Sequence, residues 1–449
     1  MKQEDLPLAV PATAKQDGEA AVSERWSWVE PAAWTPRMLH ALEQGVKGGV
    51  WYSLMDKVYA PRNLQAATKR VVANRGSAGI DHVSVSVFER NRDANLQRLC
   101  EQLREGRYYP QAVRRTYIPK TGSRELRPLG IPTVRDRIAQ TALRNVLEPI
   151  FERDFAEHSY GFRPGRGCKD ALRRVSCLLS KRHLFVVDVD LKSFFDTIPH
   201  EQLLARVEQR VADSRVLDLV RSYLKQRVLD TMQEWQPEQG TPQGAVISPL
   251  LANIYLDPLD HLMASRGFEM TRYADDMVIQ CRDEQHAQQA MDLLREWVEK
   301  AGLSLHPTKT RIVQVTQMQG FDFLGYHFQL SKGPPIHVGK WPRDKSLRKF
   351  KDSVRDKTHR CNGHSLEAII RRLNPALRGF LEYFKHGANI FARLDSWVRG
   401  RLRAILRKRT HRRGRANGKD HQRWPNDFFR EHGLLSMVEE RARLVQSSG

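Results

Sequence analysis

No stretch of the sequence approaches the ~18 consecutive apolar residues that a membrane-spanning helix requires, so no bilayer-crossing segment is expected. The first 25 residues mix acids with bases and lack an apolar core, which argues against a secretory signal. Cysteine is sparse: Cys100, Cys168, Cys177, Cys281 and Cys361 are scattered, with no Cys-x-x-Cys pair. That spacing rules against a cysteine-rich zinc module and suits reduced thiols in a cytosolic protein. The 16 histidines are dispersed and show no His-Glu-x-x-His spacing, so a histidine metal site is not indicated. Acidic residues are the scarce charge, 52 against 74 Lys and Arg, for a net +22. Such an excess calls for a polyanionic partner, nucleic acid before an anionic membrane surface.

At 449 residues the chain has room for two or three domains. The charge is uneven: from Lys340 to Gly449 there are 28 Lys and Arg against 11 Asp and Glu, which holds +17 of the +22. That asymmetry marks a separate basic domain at 340–449, and Lys332-Gly333-Pro334-Pro335 just before it reads as a linker. Residues 1–62 form an extension, disordered over 1–24 and partly helical with exposed aromatics from Trp26 to Tyr59. Between them, 63–331 reads as a mixed α/β body. Strands are expected at 112–119, 184–191 and 320–330, and helices at 64–74, 87–105, 136–155, 200–211, 215–226 and 284–301. Pro149 should kink or end part of the helix in which it falls. The basic region has the periodicity of helices at 344–359, 366–386 and 391–409.

Chemistry concentrates in a few short segments. Tyr273-Ala274-Asp275-Asp276 lies between β-prone runs and reads as a hairpin turn. Adjacent carboxylates repel each other there, and a divalent cation would offset that repulsion. Asp188 and Asp190 end the apolar strand at 184–191 and share one face, where charge needs a partner or a metal. Asp188 suits a cap or an Arg partner. Asp190 is followed five residues on by Phe195, an aromatic able to stack beneath a sugar. Gly240-Thr241-Pro242-Gln243-Gly244 leads into Ser248-Pro249, a loop entering a helix whose amides can face a base pair or phosphate. Ile118-Pro119-Lys120 and Arg127-Pro128-Leu129-Gly130 set cations beside a strand, where Arg grips phosphate bidentately and Lys acts as a point charge.

Taken in order, Arg127, Asp190, Phe195, Gln243, Tyr273–Asp276, Lys309 and Leu324-Gly325 resemble the motif series of reverse transcriptases. More narrowly, the chain resembles a bacterial group II intron-encoded reverse transcriptase/maturase over residues 60–435. The likeness includes Gly76-Ser77-Ala78-Gly79-Ile80-Asp81, Tyr160-Gly161-Phe162-Arg163-Pro164-Gly165-Arg166, Gly302-Leu303 with Lys309-Thr310, and Leu377–Phe384. It implies an α/β (α+β) right-hand polymerase fold with fingers and palm, followed by an all-α basic thumb/maturase domain. It further implies that Asp190, Asp275 and Asp276, with the Leu191 carbonyl, hold two Mg²⁺ ions for phosphoryl transfer. Lys120 and Arg127 would hold the triphosphate, Gln243 would line the nucleotide pocket, and Lys309 would donate a proton to pyrophosphate. Phe195 would be the steric gate against ribonucleotides, and Gly325 would let the primer backbone approach. Asp196 is not expected among the metal ligands.

The implied partners are group II intron RNA, an RNA template with a DNA primer, a DNA target and deoxynucleoside triphosphates, with no membrane. The implied place is the bacterial cytoplasm, at the nucleoid when bound to target. In the basic domain Arg399, Arg403, Arg407, Lys408, Arg412 and Arg413 are the expected RNA contacts, with Trp424, Phe428 or Tyr383 available for stacking. Trp397 and Leu402 should pack on the helix at 366–386. The sequence shows no HNH-type endonuclease with paired cysteines, which points to the small class C type. Gly244-Ala245-Val246-Ile247 stands where the family more usually has Gly-Gly-Pro-Leu. Three other readings are a relative adopted for phage defence or repair, an RNA chaperone with a vestigial site, and a basic DNA-binding protein. Retention of Asp190, Phe195, Asp275 and Asp276 weighs against the last two.

Overall fold

The computed structural model describes residues 25–119, 126–231, 233–361, 363–387, 390–411 and 418–446. Lys120, Arg412 and Arg413 lie outside the described residues. The strands are β1 (Val113–Pro119), β2 (Leu126–Ile131), β3 (Phe185–Asp190), β4 (Val228–Asp230), β5 (Gln233–Trp235), β6 (Glu269–Tyr273), β7 (Asp276–Cys281), β8 (Arg311–Gln314), β9 (Phe321–Phe323), β10 (Tyr326–Leu330) and β11 (Val338–Pro342). They form sheets ordered β2-β1-β4-β5, β6-β7-β3-β8 and β11-β10-β9. The chain divides into two compact units, one of residues 1–118, 126–178 and 187–312, the other of 119–125, 179–186 and 313–449. This is the expected mixed α/β body with a helical C-terminal region. Among the described residues no helix is long and apolar enough to cross a membrane.

The spine of the first unit is the helix Val134–Glu152, capped by the Thr133 hydroxyl, which accepts from Asp136 N. Pro149 neither ends nor breaks it, against expectation, because its missing N–H is replaced from outside. The Asn145 carbonyl, which an ordinary residue at 149 would bind, instead accepts the Trp34 indole N–H at 3.1 Å. Apart from the exposed Tyr52, the aromatics of 26–59 are therefore not an exposed fringe. Trp26 and Trp34 are buried, and the Trp34 and Trp51 rings meet edge-on at 5.2 Å. Asp213 accepts from Leu54 N and Met55 N at 2.8 and 2.9 Å, so residues 25–62 are part of this unit rather than an appendage.

β3 alternates as the sequence suggested, with Val187 and Val189 buried and Asp188 and Asp190 on the opposite face, half-buried. Asp188 lies 3.8 Å from the Arg311 guanidinium on β8, the structural partner foreseen for it.

In the second unit, Lys332–Pro335 is not a linker. It connects β10 to β11, which pair antiparallel from Tyr326↔Pro342 to Leu330↔Val338. The β9–β10 hairpin is tied to the helix Leu366–Phe384 from both sides: Tyr326 Oη donates to Tyr383 O at 2.6 Å, and Tyr383 Oη to Leu324 O at 2.7 Å. At its tip Gly325 has φ +82, and its carbonyl accepts from the Ser346 hydroxyl. Phe350, Phe384 and Phe391 gather around Phe380, the nearest ring centroids being 4.2 Å apart. Helix Phe391–Arg409 packs on Met437–Gln446, where Asp395 accepts from Met437 N and Val438 N. Leu402 is fully buried, but Trp397 sits half-buried between the guanidinium groups of Arg355 and Arg401 at 5.9 and 5.7 Å.

Candidate active site

β6 and β7 are hydrogen-bonded down to Tyr273↔Asp276, which leaves Ala274 and Asp275 as the two turn residues. So tight a hairpin demands positive φ, and Ala274 adopts +58, a left-handed conformation that costs a non-glycine residue about 1–3 kcal/mol. Asp276 is thus the first strand residue and Asp275 the tip. β3 lies next to β7 and ends at Asp190. The two carboxylates feel each other: burial pushes the Asp275 carboxyl up from its ordinary range and the Asp190 charge adds to it. The Arg127 and Arg272 guanidinium groups act in the opposite direction. Asp275 thus lies within electrostatic reach of Asp190, Arg127 and Arg272.

Segment 304–310 closes onto the end of β3. Lys192 N donates to Ser304 O at 2.8 Å, and Leu191 bridges Leu305. His306 N donates to Asp190 O at 2.7 Å, and the Thr310 hydroxyl accepts from Asp190 N while donating to Asp190 O. This zip delivers Lys309, whose Nζ lies 3.1 Å from Asp190 Oδ2. Among the described residues, no three His, Cys, Asp or Glu side chains are gathered into a ready metal cage. The donors nonetheless fit a hard divalent ion: two mutually repelling carboxylates, one of them already compensated by an ammonium.

Phe195 and Gln243 line one cavity, together with Asp196, Arg115 and Trp235. Its walls are sewn together through backbone. Thr241 N donates to Phe195 O at 2.6 Å, Gly240 N to Ile198 O at 2.8 Å, and Gly130 N to Gln243 O at 2.6 Å. Gly240, at φ +87, sits where an added Cβ would be 2.8 Å from Asp196 backbone atoms. Gln243 Nε2 donates to both Asp196 oxygens at 3.1 and 3.2 Å, so Asp196 is a partner of the pocket. Phe195 stands on the buried Phe194, the rings crossing at 67° with centroids 5.3 Å apart. Arg127 is exposed on β2. Sequence reasoning missed Arg115 and Trp235, stacked at 5.1 Å. Their alternation along β1 and β5 looks like any surface strand, and only sheet pairing brings them together.

Residues 118–328 match the family Reverse transcriptase (RNA-dependent DNA polymerase), and residues 347–424 match Group II intron, maturase-specific domain. One chain thus carries a reverse transcriptase domain followed by a group II intron maturase-specific domain. It is similar to Protein YkfC of Escherichia coli (strain K12), 38% identical over 219 residues, covering 47% of this chain and 57% of that one. It is also similar to Group II intron-encoded protein LtrA of Lactococcus lactis subsp. cremoris, 35% identical over 231 residues, covering 51% and 38%. The chain thus spans about half the length of the curated relatives it matches. Among solved structures, a chain of a partial Cas6-RT-Cas1–Cas2 complex aligns with a TM-score of 0.37 and 26% identity, covering 55% of this chain and 41% of that one.

In the maturase-specific region the expected RNA contacts separate into two kinds. Arg403 is buried: Nε donates to Trp424 O at 2.8 Å, Nη2 to Asn426 Oδ1 at 2.9 Å, and the guanidinium lies over Phe429. Arg407 pairs with the buried Asp420 at 2.6 Å. Both are spent on internal packing, which corrects the expectation for them. The helical spacing was visible in sequence, but which face the segment after residue 417 covers was not. Trp424 is likewise buried rather than open for stacking, and Phe428 lies tilted against His432 with ring centroids 4.2 Å apart. Lys408 is exposed, its Nζ 2.7 Å from Cys361 Sγ, and Arg399 is half-buried.

Proposed function

We propose that this protein is an RNA-directed DNA polymerase that binds a group II intron RNA, assists its splicing and copies it into DNA by nucleotidyl transfer. The reading is supported by β3 ending at Asp190 beside β7, by Asp275 within electrostatic reach of Asp190, by Lys309 3.1 Å from Asp190, and by Phe195 and Gln243 lining one cavity. Asp190, Asp275, Asp276 and the Leu191 carbonyl would hold Mg²⁺. When bound, the ions supply Lewis acidity for the attacking 3′-hydroxyl and offset charge on the departing pyrophosphate. Arg127 and Lys120 grip the triphosphate in this reading. The Phe195 ring fills the space a 2′-hydroxyl would need, while Gln243 fixes the nucleotide against the loop Gly240–Gly244. Lys309, freed from Asp190, stands ready to protonate the leaving group. The exposed cations of the second unit hold structured RNA through its phosphates, which makes that binding salt-dependent.

Primer extension by the purified chain on an RNA template, with deoxynucleotides and Mg²⁺, tests the polymerase part. A splicing assay with the flanking RNA tests the maturase part. Absence of magnesium-dependent product on RNA would overturn the first, and splicing unaccelerated by the protein the second.

A further inference from the structure

Beneath the Ala274 turn lies a circuit of buried polar side chains that the reading above leaves unused. Arg272 is fully buried, two residues before the turn. Its Nε donates to both Asp260 oxygens at 2.8 and 2.9 Å, and Nη2 also bonds Asp260. Nη1 donates to Asn253 Oδ1 and to the turn carbonyl Ala274 O, each at 3.0 Å. Asn253 Nδ2 in turn donates to Gly161 O at 2.8 Å. Gly161 lies so close to the turn that an added Cβ would be 2.2 Å from Ala274 N. Asn253 and Asp260 are seven residues apart on the helix Ser248–Ser265, hence on one face of it.

Two independent features give this circuit a purpose. A buried ion pair adds little stability over well-packed apolar residues, so its retention asks for a geometric reason. Meanwhile a left-handed alanine persists only where its surroundings over-determine it. The circuit does so, since the guanidinium fastens the turn carbonyl to the helix while Gly161 closes over the turn amide. We propose that Arg272, locked by Asp260 and Asn253, is a positioning residue that holds Ala274 left-handed and so delivers Asp275 to the metal-binding pair. This rests on the polymerase reading for its consequence, though not for its geometry.

The test uses the full chain. Mn²⁺ binding is followed by electron paramagnetic resonance of the free ion without nucleic acid, beside steady-state extension kinetics and thermal melting. Asn253→Ala should weaken Mn²⁺ binding and lower kcat, each by about tenfold, while the nucleotide KM stays within about twofold. Glycine adopts positive φ without help, so adding Ala274→Gly to Asn253→Ala should restore most of the Mn²⁺ affinity. Strictly additive effects of the two substitutions, or unchanged Mn²⁺ affinity in Asn253→Ala, would overturn the proposal. Should Asn253→Ala fail to fold, Asp260→Asn keeps one oxygen for Arg272 and carries the same expectation with a smaller loss. If the unaltered chain binds Mn²⁺ yet extends no primer, the polymerase reading falls, and the Mn²⁺ comparison still decides this one.

Discussion

The Lys309 ammonium lies 3.1 Å from the Asp190 carboxylate, held there by the zip between residues 304–310 and the end of β3. In the proposed reading, a metal ion held by Asp190 would displace that ammonium, which would then be free to donate a proton to pyrophosphate. Lys309→Ala should lower kcat by roughly 10²-fold while the Mg²⁺ concentration for half-maximal rate does not rise. Steady-state extension across a magnesium series checks both; a kcat within twofold of the unaltered chain removes the acid role.

Asp275 stands at the hairpin tip with its carboxylate repelled by Asp190. Asp275→Ala should reduce extension by at least ~10³-fold, because the electrostatic stabilisation of the transfer is lost at its centre. Affinity for RNA, measured by filter binding, should be retained. Extension that survives the change would refute the assignment of this carboxylate.

Phe195 lies edge-on against the buried Phe194 on one side and lines the cavity on the other, where the proposed reading places the sugar. Phe195→Val should lower discrimination between deoxy- and ribonucleotides by ~10–200-fold, the range a steric pocket can supply. The ratio of kcat/KM for the matched nucleotide pair is the measurement. An unmoved ratio removes the gate.

Arg403 and Lys408 share a helix but face different surroundings, one buried against Trp424 O and Asn426, the other exposed. Arg403→Ala should cost about 1–3 kcal/mol, seen as a lower melting temperature, because it strands the buried Trp424 carbonyl. Lys408→Ala should leave melting unchanged and, if the side chain meets a phosphate, flatten the salt dependence of RNA affinity by roughly 0.7–0.9 in log–log slope. The reverse pattern would return Arg403 to the RNA-facing surface.

Trp34→Phe keeps an aromatic side chain but replaces the buried indole by a smaller ring and deletes the N–H that satisfies Asn145 O opposite Pro149. A stability loss of about 1–3 kcal/mol is expected in chemical denaturation. A neutral result would mean that another donor reaches the carbonyl.

Much of the fold was readable from the sequence, since period and apolar runs mark β3, β7 and the long helices. The helix at 391–409 came out with both ends right, and the turn at 273–276 was recognised although its true corner is Ala274–Asp275. Local pattern failed where distant partners decide. Pro149 continues its helix because Trp34, more than a hundred residues earlier, supplies the missing donor. Lys332–Pro335 has linker composition, yet strand pairing on either side makes it a hairpin loop. The chemistry of Asp190 and Asp275 could be guessed from charge beside apolar strands. The roles of Arg272, Asp260 and Asn253 could not, because a strand arginine and a helix aspartate carry no mark of mutual burial.

The pairing of β10 with both β9 and β11 bears on how the protein can be dissected. A fragment ending before residue 332 would keep β10 but strip one of its hydrogen-bonded neighbours, baring a row of amides and carbonyls to any passing strand. Such a piece would tend to self-associate in solution, so a cut placed there would yield aggregates rather than an isolated N-terminal half.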